Sequence, residues 1–171
     1  QHPSPRKVCA GDVVSCELSA FWWDYPGQVL RTFTVAAEPT PLYRELHATA
    51  EAAFDAVTRV VRHGATTAEI LDATALIENR GYTVCDDLMH GFGGGYFQPI
   101  IGTRSRMAGT LPDMTLEENM TVVVQPNVIT TDADESKRAG VQVGELIRVT
   151  RDGFEPLHRA PRGLFRAGQA I

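Results

Sequence analysis

Residues 11–20, GDVVSCELSA, alternate. Val14, Cys16, Leu18 and Ala20 fall on one side, and Val13, Ser15, Glu17 and Ser19 on the other. A two-residue period of this kind predicts a strand with one apolar face. Asp24-Tyr25-Pro26-Gly27 is a turn signal, and residues 28–35, QVLRTFTV, read as the returning strand of a β-hairpin. From residue 40 the period changes. Thr40 is placed to cap a helix with Pro41 at its first position. Leu42, Leu46, Ala50, Phe54, Val57 and Val61 then step along one helical face until Gly64. Thr66-Thr67-Ala68-Glu69 is a capping box for a second helix. Ile70, Leu71, Ala73, Thr74 and Ile77 form its apolar side, and Gly81 closes it. Residues 121–125, TVVVQ, read as a short buried strand ended by Pro126. Residues 131–138 read as a polar loop, 141–150 as another strand region, and 151–153 as a turn. A hairpin, a helix pair and then more strands predict an α+β fold.

Length and composition narrow the field. A chain of 171 residues fits a single domain over residues 1–171, and 43% hydrophobic with 22% charged residues fits a folded one. The net charge is −5 and no basic stripe occurs, which argues against nucleic acid as a partner. No run of about 18 apolar residues occurs, so no membrane span is expected. Cys9, Cys16 and Cys85 show no zinc spacing, and free thiols in the cytoplasm are the expectation. The proline-rich start, Gln1-His2-Pro3-Ser4-Pro5, leads abruptly into the first strand and suggests a domain lacking an upstream segment.

One stretch is unusual. In LMHGFGGGYFQP, residues 88–99, four glycines crowd His90. They fall at 91, 93, 94 and 95, which is not the GxGxxG of a dinucleotide loop, and no GK[ST] marks a P-loop. The plain alternative is a structural loop around a hydrogen-bonded histidine.

Several segments taken together resemble the pita-bread family of methionine aminopeptidases, Xaa-Pro peptidases and creatinase. GDVVSCELSAFWWDYPGQVLRTFTV looks like the strand pair that opens that family's catalytic half, with Arg31-Thr32-Phe33 matching its ending. LMHGFGGGYFQP looks like its GHG-hydrophobic-G stretch. Residues 118–126, ENMTVVVQP, look like its strand ending in Glu-Pro, and residues 140–150 like its final strand. The resemblance runs from about residue 2 to residue 158, and implies a pita-bread fold of which this chain covers the later part.

Most members of that family bind two divalent metals through two aspartates, a histidine and two glutamates. The resemblance places Glu17 and Gln28 at the aspartates, His90 at the histidine, and Gln125 and Gly144 at the glutamates. Phe97 stands at the peptidases' substrate-contacting histidine, and Gln98 at the carboxylate after it. Glu145 is next to Gly144, but one step along a strand points to the opposite face. Too few carboxylates remain to offset cation dehydration, so the expectation is no metal and no cofactor. The resemblance then implies a hydrolase or lyase in which His90 is the acid/base, tuned by Glu17. Gln28, Phe97, Gln98 and Gln125 would hold a small polar, amide or short-peptide substrate. Two alternatives stay open: a binding domain without chemistry, and a metallo-aminopeptidase with an unusual ligand set. Family members often dimerise, so a homodimer is also implied.

Other residues read more plainly. Trp22 and Trp23 suit packing or dimer contacts. Arg104 and Arg106 are solvated loop charges able to meet a carboxylate. His47 and His63 read as surface residues, and Asp86-Asp87 as a solvated or loop-capping pair.

Overall fold

The computed structural model describes residues 5–107 and 109–168. In chain order the strands and helices are β1 (Val13–Trp22), β2 (Tyr25–Val35), α1 (Pro41–Val60), α2 (Thr67–Asn79), β3 (Thr83–Val84), β4 (Met89–Phe92), β5 (Tyr96–Ile101), β6 (Thr121–Val124), β7 (Asn127–Ile129), β8 (Gly140–Gln142), β9 (Gly144–Val149), β10 (Phe154–Pro156) and β11 (Leu164–Ala167). The large sheet runs β1-β2-β9-β6-β4-β5, with β10 on β9 and β11 on β2. A second sheet runs β3-β7-β8. The α+β expectation holds, and the curled antiparallel sheet with its helix pair is the pita-bread fold.

The hairpin turns earlier than the sequence signal implied. Trp23 and Asp24 form a two-residue turn with φ of 48° and 60°, and Trp22 pairs with Tyr25. Positive φ at both central residues matches the twist of the strands, which a wider turn would not. Pro26 therefore sits inside β2, opposite Phe21. Further along the hairpin, the Val35 N–H donates to the Asp12 carbonyl across the pair Asp12–Val35. Bonded pairs alternate in an antiparallel ladder, so Pro26 falls at a non-bonded pair and its missing N–H costs nothing there.

The helix signals read well. Thr40 caps α1 by accepting from the Tyr43 N–H, and Thr66 and Glu69 form the reciprocal capping box of α2. Leu46, Ala50, Phe54 and Val57 are buried along α1, but Leu42 is 41% exposed because it lies in the first turn, ahead of the core. His47 differs from expectation: it is buried.

The two faces of the large sheet have separate roles. Phe54, Val57 and Ile70 from the helices pack on Met89, Val122, Val124, Ile147 and Val149. Strand alternation sends the intervening residues to the other face, where Leu30, Phe92, Val123 and Leu146 form their own cluster. That face carries the candidate site. The strand region read at 141–150 is two strands. β8 belongs to the small sheet and β9 to the large one, and the chain crosses between them at Val143, whose N–H donates to the Pro126 carbonyl.

Candidate functional site

A chain of polar contacts runs across the second face. The Gln28 amide Nε2 donates to Gln125 Oε1 at 3.1 Å. Gln125 Nε2 in turn donates to Asp87 Oδ1 at 3.2 Å. The Tyr96 hydroxyl donates to the same Asp87 oxygen at 2.7 Å. The Tyr96 ring stacks on the His90 imidazole with centroids 4.0 Å apart, and Phe92 meets that imidazole edge-on at 5.3 Å. Asn127 holds the segment before β4. Its Oδ1 accepts from the Cys85 and Asp86 N–H groups, and its Nδ2 donates to the Asp87 carbonyl.

His90 is 1% exposed. Burial lowers its pKa, against the Gly91 carbonyl and Gln125, which favour the charged form. In the neutral ring Nδ1 donates to the Gly91 carbonyl at 3.1 Å. Nε2 then carries the lone pair, and it is buried without a hydrogen-bond partner among the described residues. Asp87 is also buried. Removal from water pushes its carboxyl up to about 7, the Tyr96 hydroxyl opposes this, and Asp86 adds to it. Its Oδ2 has no partner among the described residues. Asp87 and His90 thus lie on one face, bridged by Tyr96, which bonds the one and stacks on the other.

The glycines answer a packing need. A β-carbon on Gly91 would stand 2.5 Å from the Gln98 carbonyl oxygen, where β4 and β5 shift register. One on Gly93 would stand 2.8 Å from Thr121 Oγ1. Gly94 takes φ of 78°. The stretch brings two strands and a side chain close together, which only glycine permits.

The sequence-derived residues divide into two groups. Gln28, His90 and Gln125 come together and are buried. Glu17, Phe97 and Gln98 are exposed. Glu17 feels Asp86, and partial burial together with that charge raises its carboxyl pKa. Gln98 Oε1 accepts from the Ile100 N–H of its own strand. With Phe97 it lines a separate cavity of about 150 Å³. The sequence reading missed Asp87, Tyr96 and Asn127. Asp87 was read as solvated, and only its position three residues before His90 hinted otherwise. A larger cavity of about 370 Å³ lies against Asp87 and is lined also by Cys85, Asp86, Ser105, Arg106 and Met107.

The fifth position is filled in. A β-carbon on Gly144 would lie 2.5 Å from Leu30 Cδ1 and 3.1 Å from Gln125 Cβ. Leu30 therefore occupies the space into which a side chain at 144 would project. Glu145 points away from this face and pairs with Arg31, both largely buried.

A curled sheet that presents one histidine from its central strands, with helices packed behind it, defines a protein of the pita-bread class. The chain belongs to metallopeptidase family M24, which its sequence matches over residues 1–151. No curated protein matches the sequence. Among solved structures, an X-Pro aminopeptidase from Thermotoga maritima superposes with a TM-score of 0.79 at 22% identity, covering 96% of this chain and 44% of that one. A prolidase from Thermococcus sibiricus gives 0.82 at 21% identity, covering 98% and 43%. A methionine aminopeptidase from Rickettsia prowazekii gives 0.76 at 25% identity, covering 90% and 67%. The chain spans less than half the length of the first two and corresponds to the C-terminal part of such chains.

The family assignment corrects one expectation. No cofactor was expected, whereas membership in a metallopeptidase family implies a divalent metal. The residues of this face do not fit the two-metal set. Gln28 and Gln125 stand where carboxylates would, Gly144 has no side chain, and no group of three His, Cys, Asp or Glu able to hold a metal occurs among the described residues.

Proposed function

We propose that this chain is a hydrolase-type domain of family M24 that acts on an amide bond of a short peptide or small polar molecule, with His90 as the group that carries the proton. The observation behind this reading is His90 itself. Its Nδ1 is committed to the Gly91 carbonyl, while its Nε2 has no partner among the described residues. A neutral imidazole fixed in that tautomer accepts a proton at Nε2 from a water molecule as the water oxygen bonds to the amide carbonyl carbon, and returns that proton to the amine as the C–N bond breaks. Asp87, adjacent through Gln125 and Tyr96, is the nearby reservoir. Gln28 and Gln125 offer amide groups to a substrate carbonyl or N–H once their mutual hydrogen bond opens. Phe97 and Gln98, exposed beyond the glycine stretch, would meet the more distant part of the substrate, and Glu17 would act through its charge. The three free thiols fit a reducing cytoplasm.

A second reading rests on a different observation. Leu30 fills the space beside Gly144, and Tyr96 covers His90. A face closed in this way suits a domain that binds a peptide or metabolite without chemistry.

One experiment separates them. Wild type and His90→Ala are incubated with Xaa-Pro dipeptides, peptides beginning with methionine and small primary amides. Added manganese, cobalt or zinc and added chelator are parallel arms that read the cofactor directly. Turnover of at least one substrate class by wild type, lost in His90→Ala, is the expected result. Turnover that survives in His90→Ala overturns the role of His90. Binding without turnover in every arm favours the second reading.

A further inference from the structure

The 370 Å³ cavity beside the site has an unusual charge arrangement. Asp86 and Asp87 enter it from the segment before β4, and Arg106 from a single helical turn, Arg104–Arg106, after β5. None of the three makes an ion pair among the described residues. The neighbouring Arg104, by contrast, is paired with Asp72. Asp87 is 7% exposed, and its Oδ2 is buried with no partner among the described residues. A buried carboxyl oxygen without a donor is costly, and a bound donor such as an ammonium would satisfy it. Glu17 adds negative potential, since its carboxyl senses Asp86. Met107 supplies an apolar wall and Cys85 a thiol.

We propose that this cavity is a receptor site for a small zwitterion, an amino acid or ω-amino acid, with its ammonium held by Asp87 and Asp86 and its carboxylate by Arg106. A guanidinium binds a carboxylate through two parallel hydrogen bonds, and an ammonium supplies donors to carboxylate oxygens that lack them. The cavity volume lies within the range of small-ligand sites. A ligand charged at both ends answers all three unpaired groups at once, which a simple amine or simple acid does not. The site shares Asp87 with the amide-cleaving machinery proposed around His90, but ligand binding in it does not require turnover.

The test uses the whole 171-residue chain. Glycine, β-alanine, 4-aminobutyrate and 6-aminohexanoate are titrated at pH 8, where Asp87 is ionised, with n-butylamine and butyrate as single-charge probes, and binding is followed by NMR chemical shifts. At least one zwitterion is expected to bind about tenfold or more tightly than both single-charge probes. Arg106→Gln should remove that advantage over n-butylamine and leave n-butylamine unchanged. Asp87→Asn should remove the advantage over butyrate, and Asp86→Asn, at an exposed residue, should weaken it if Asp87→Asn fails to fold. Zwitterions no tighter than the single-charge probes, no binding at all, or an Arg106→Gln variant that weakens n-butylamine equally would each overturn the proposal. No turnover is read, so a negative result here leaves the His90 reading standing, and a failure of turnover leaves this one standing.

Discussion

Asp87→Asn is expected to reverse part of the pH dependence of stability. The Asp87 carboxyl is buried, and its pKa is raised to about 7 from an ordinary 3.8, chiefly by removal from water. The native state therefore keeps its proton up to about pH 7, while the unfolded chain releases it near pH 4. For a group raised in the native state, the stabilisation is complete below the unfolded value and is lost as pH rises to the native one. Each pH step between 5 and about 7 is worth about 1.4 kcal/mol, so this group alone removes about 3 kcal/mol of stability over that interval. Asparagine keeps an oxygen for Tyr96 and Gln125 and cannot ionise. Urea unfolding of wild type and Asp87→Asn at pH 5, 6, 7 and 8 gives the comparison. His90 and the surface carboxylates are present in both proteins and cancel. The variant is expected to gain about 3 kcal/mol relative to wild type between pH 5 and pH 8. Parallel pH profiles would refute the reasoning and place Asp87 in contact with solvent.

Three further outcomes follow from packing and charge. Gly144→Ala should destabilise by about 1–3 kcal/mol, because its β-carbon meets Leu30 at 2.5 Å, and adding Leu30→Ala should cost less than the two changes summed; urea midpoints of both singles and the double read this. Glu145→Ala should cost about 3 kcal/mol by stranding the buried Arg31 guanidinium, and the pair Arg31→Met with Glu145→Leu should cost less than Glu145→Ala alone; equal losses would show the pair to be solvated. Thr66→Ala should cost about 1 kcal/mol through loss of the α2 cap, seen as a lower thermal midpoint with an unchanged native spectrum.

Some of this was legible in the chain. The strand at residues 11–20, the Thr40-Pro41 start and the Thr66–Glu69 box are local signals, and local signals survive folding, although the apolar side of that strand stays open, with Leu18 exposed. The family resemblance supplied the fold and brought Gln28, His90 and Gln125 to one place, though it did not predict the bond from Gln125 to Asp87. What could not be read depends on contacts between distant segments. Asp86-Asp87 has the composition of a loop, and Tyr96, Gln125 and Asn127, all later in the chain, hold Asp87 inward. Gly144 looked like a missing ligand, but its neighbour Leu30 shows that the space is taken. The crossing at Val143 is invisible because 141–150 is uniformly strand-like, and the change of sheet is set by Pro126.

The most direct test of the central claim is kcat/KM for the best amide substrate in wild type and in His90→Ala, both shown to be folded. The account predicts a fall of roughly 10²–10⁴-fold, the ordinary worth of a positioned acid/base group. An unchanged kcat/KM would contradict it and move the chemistry away from His90.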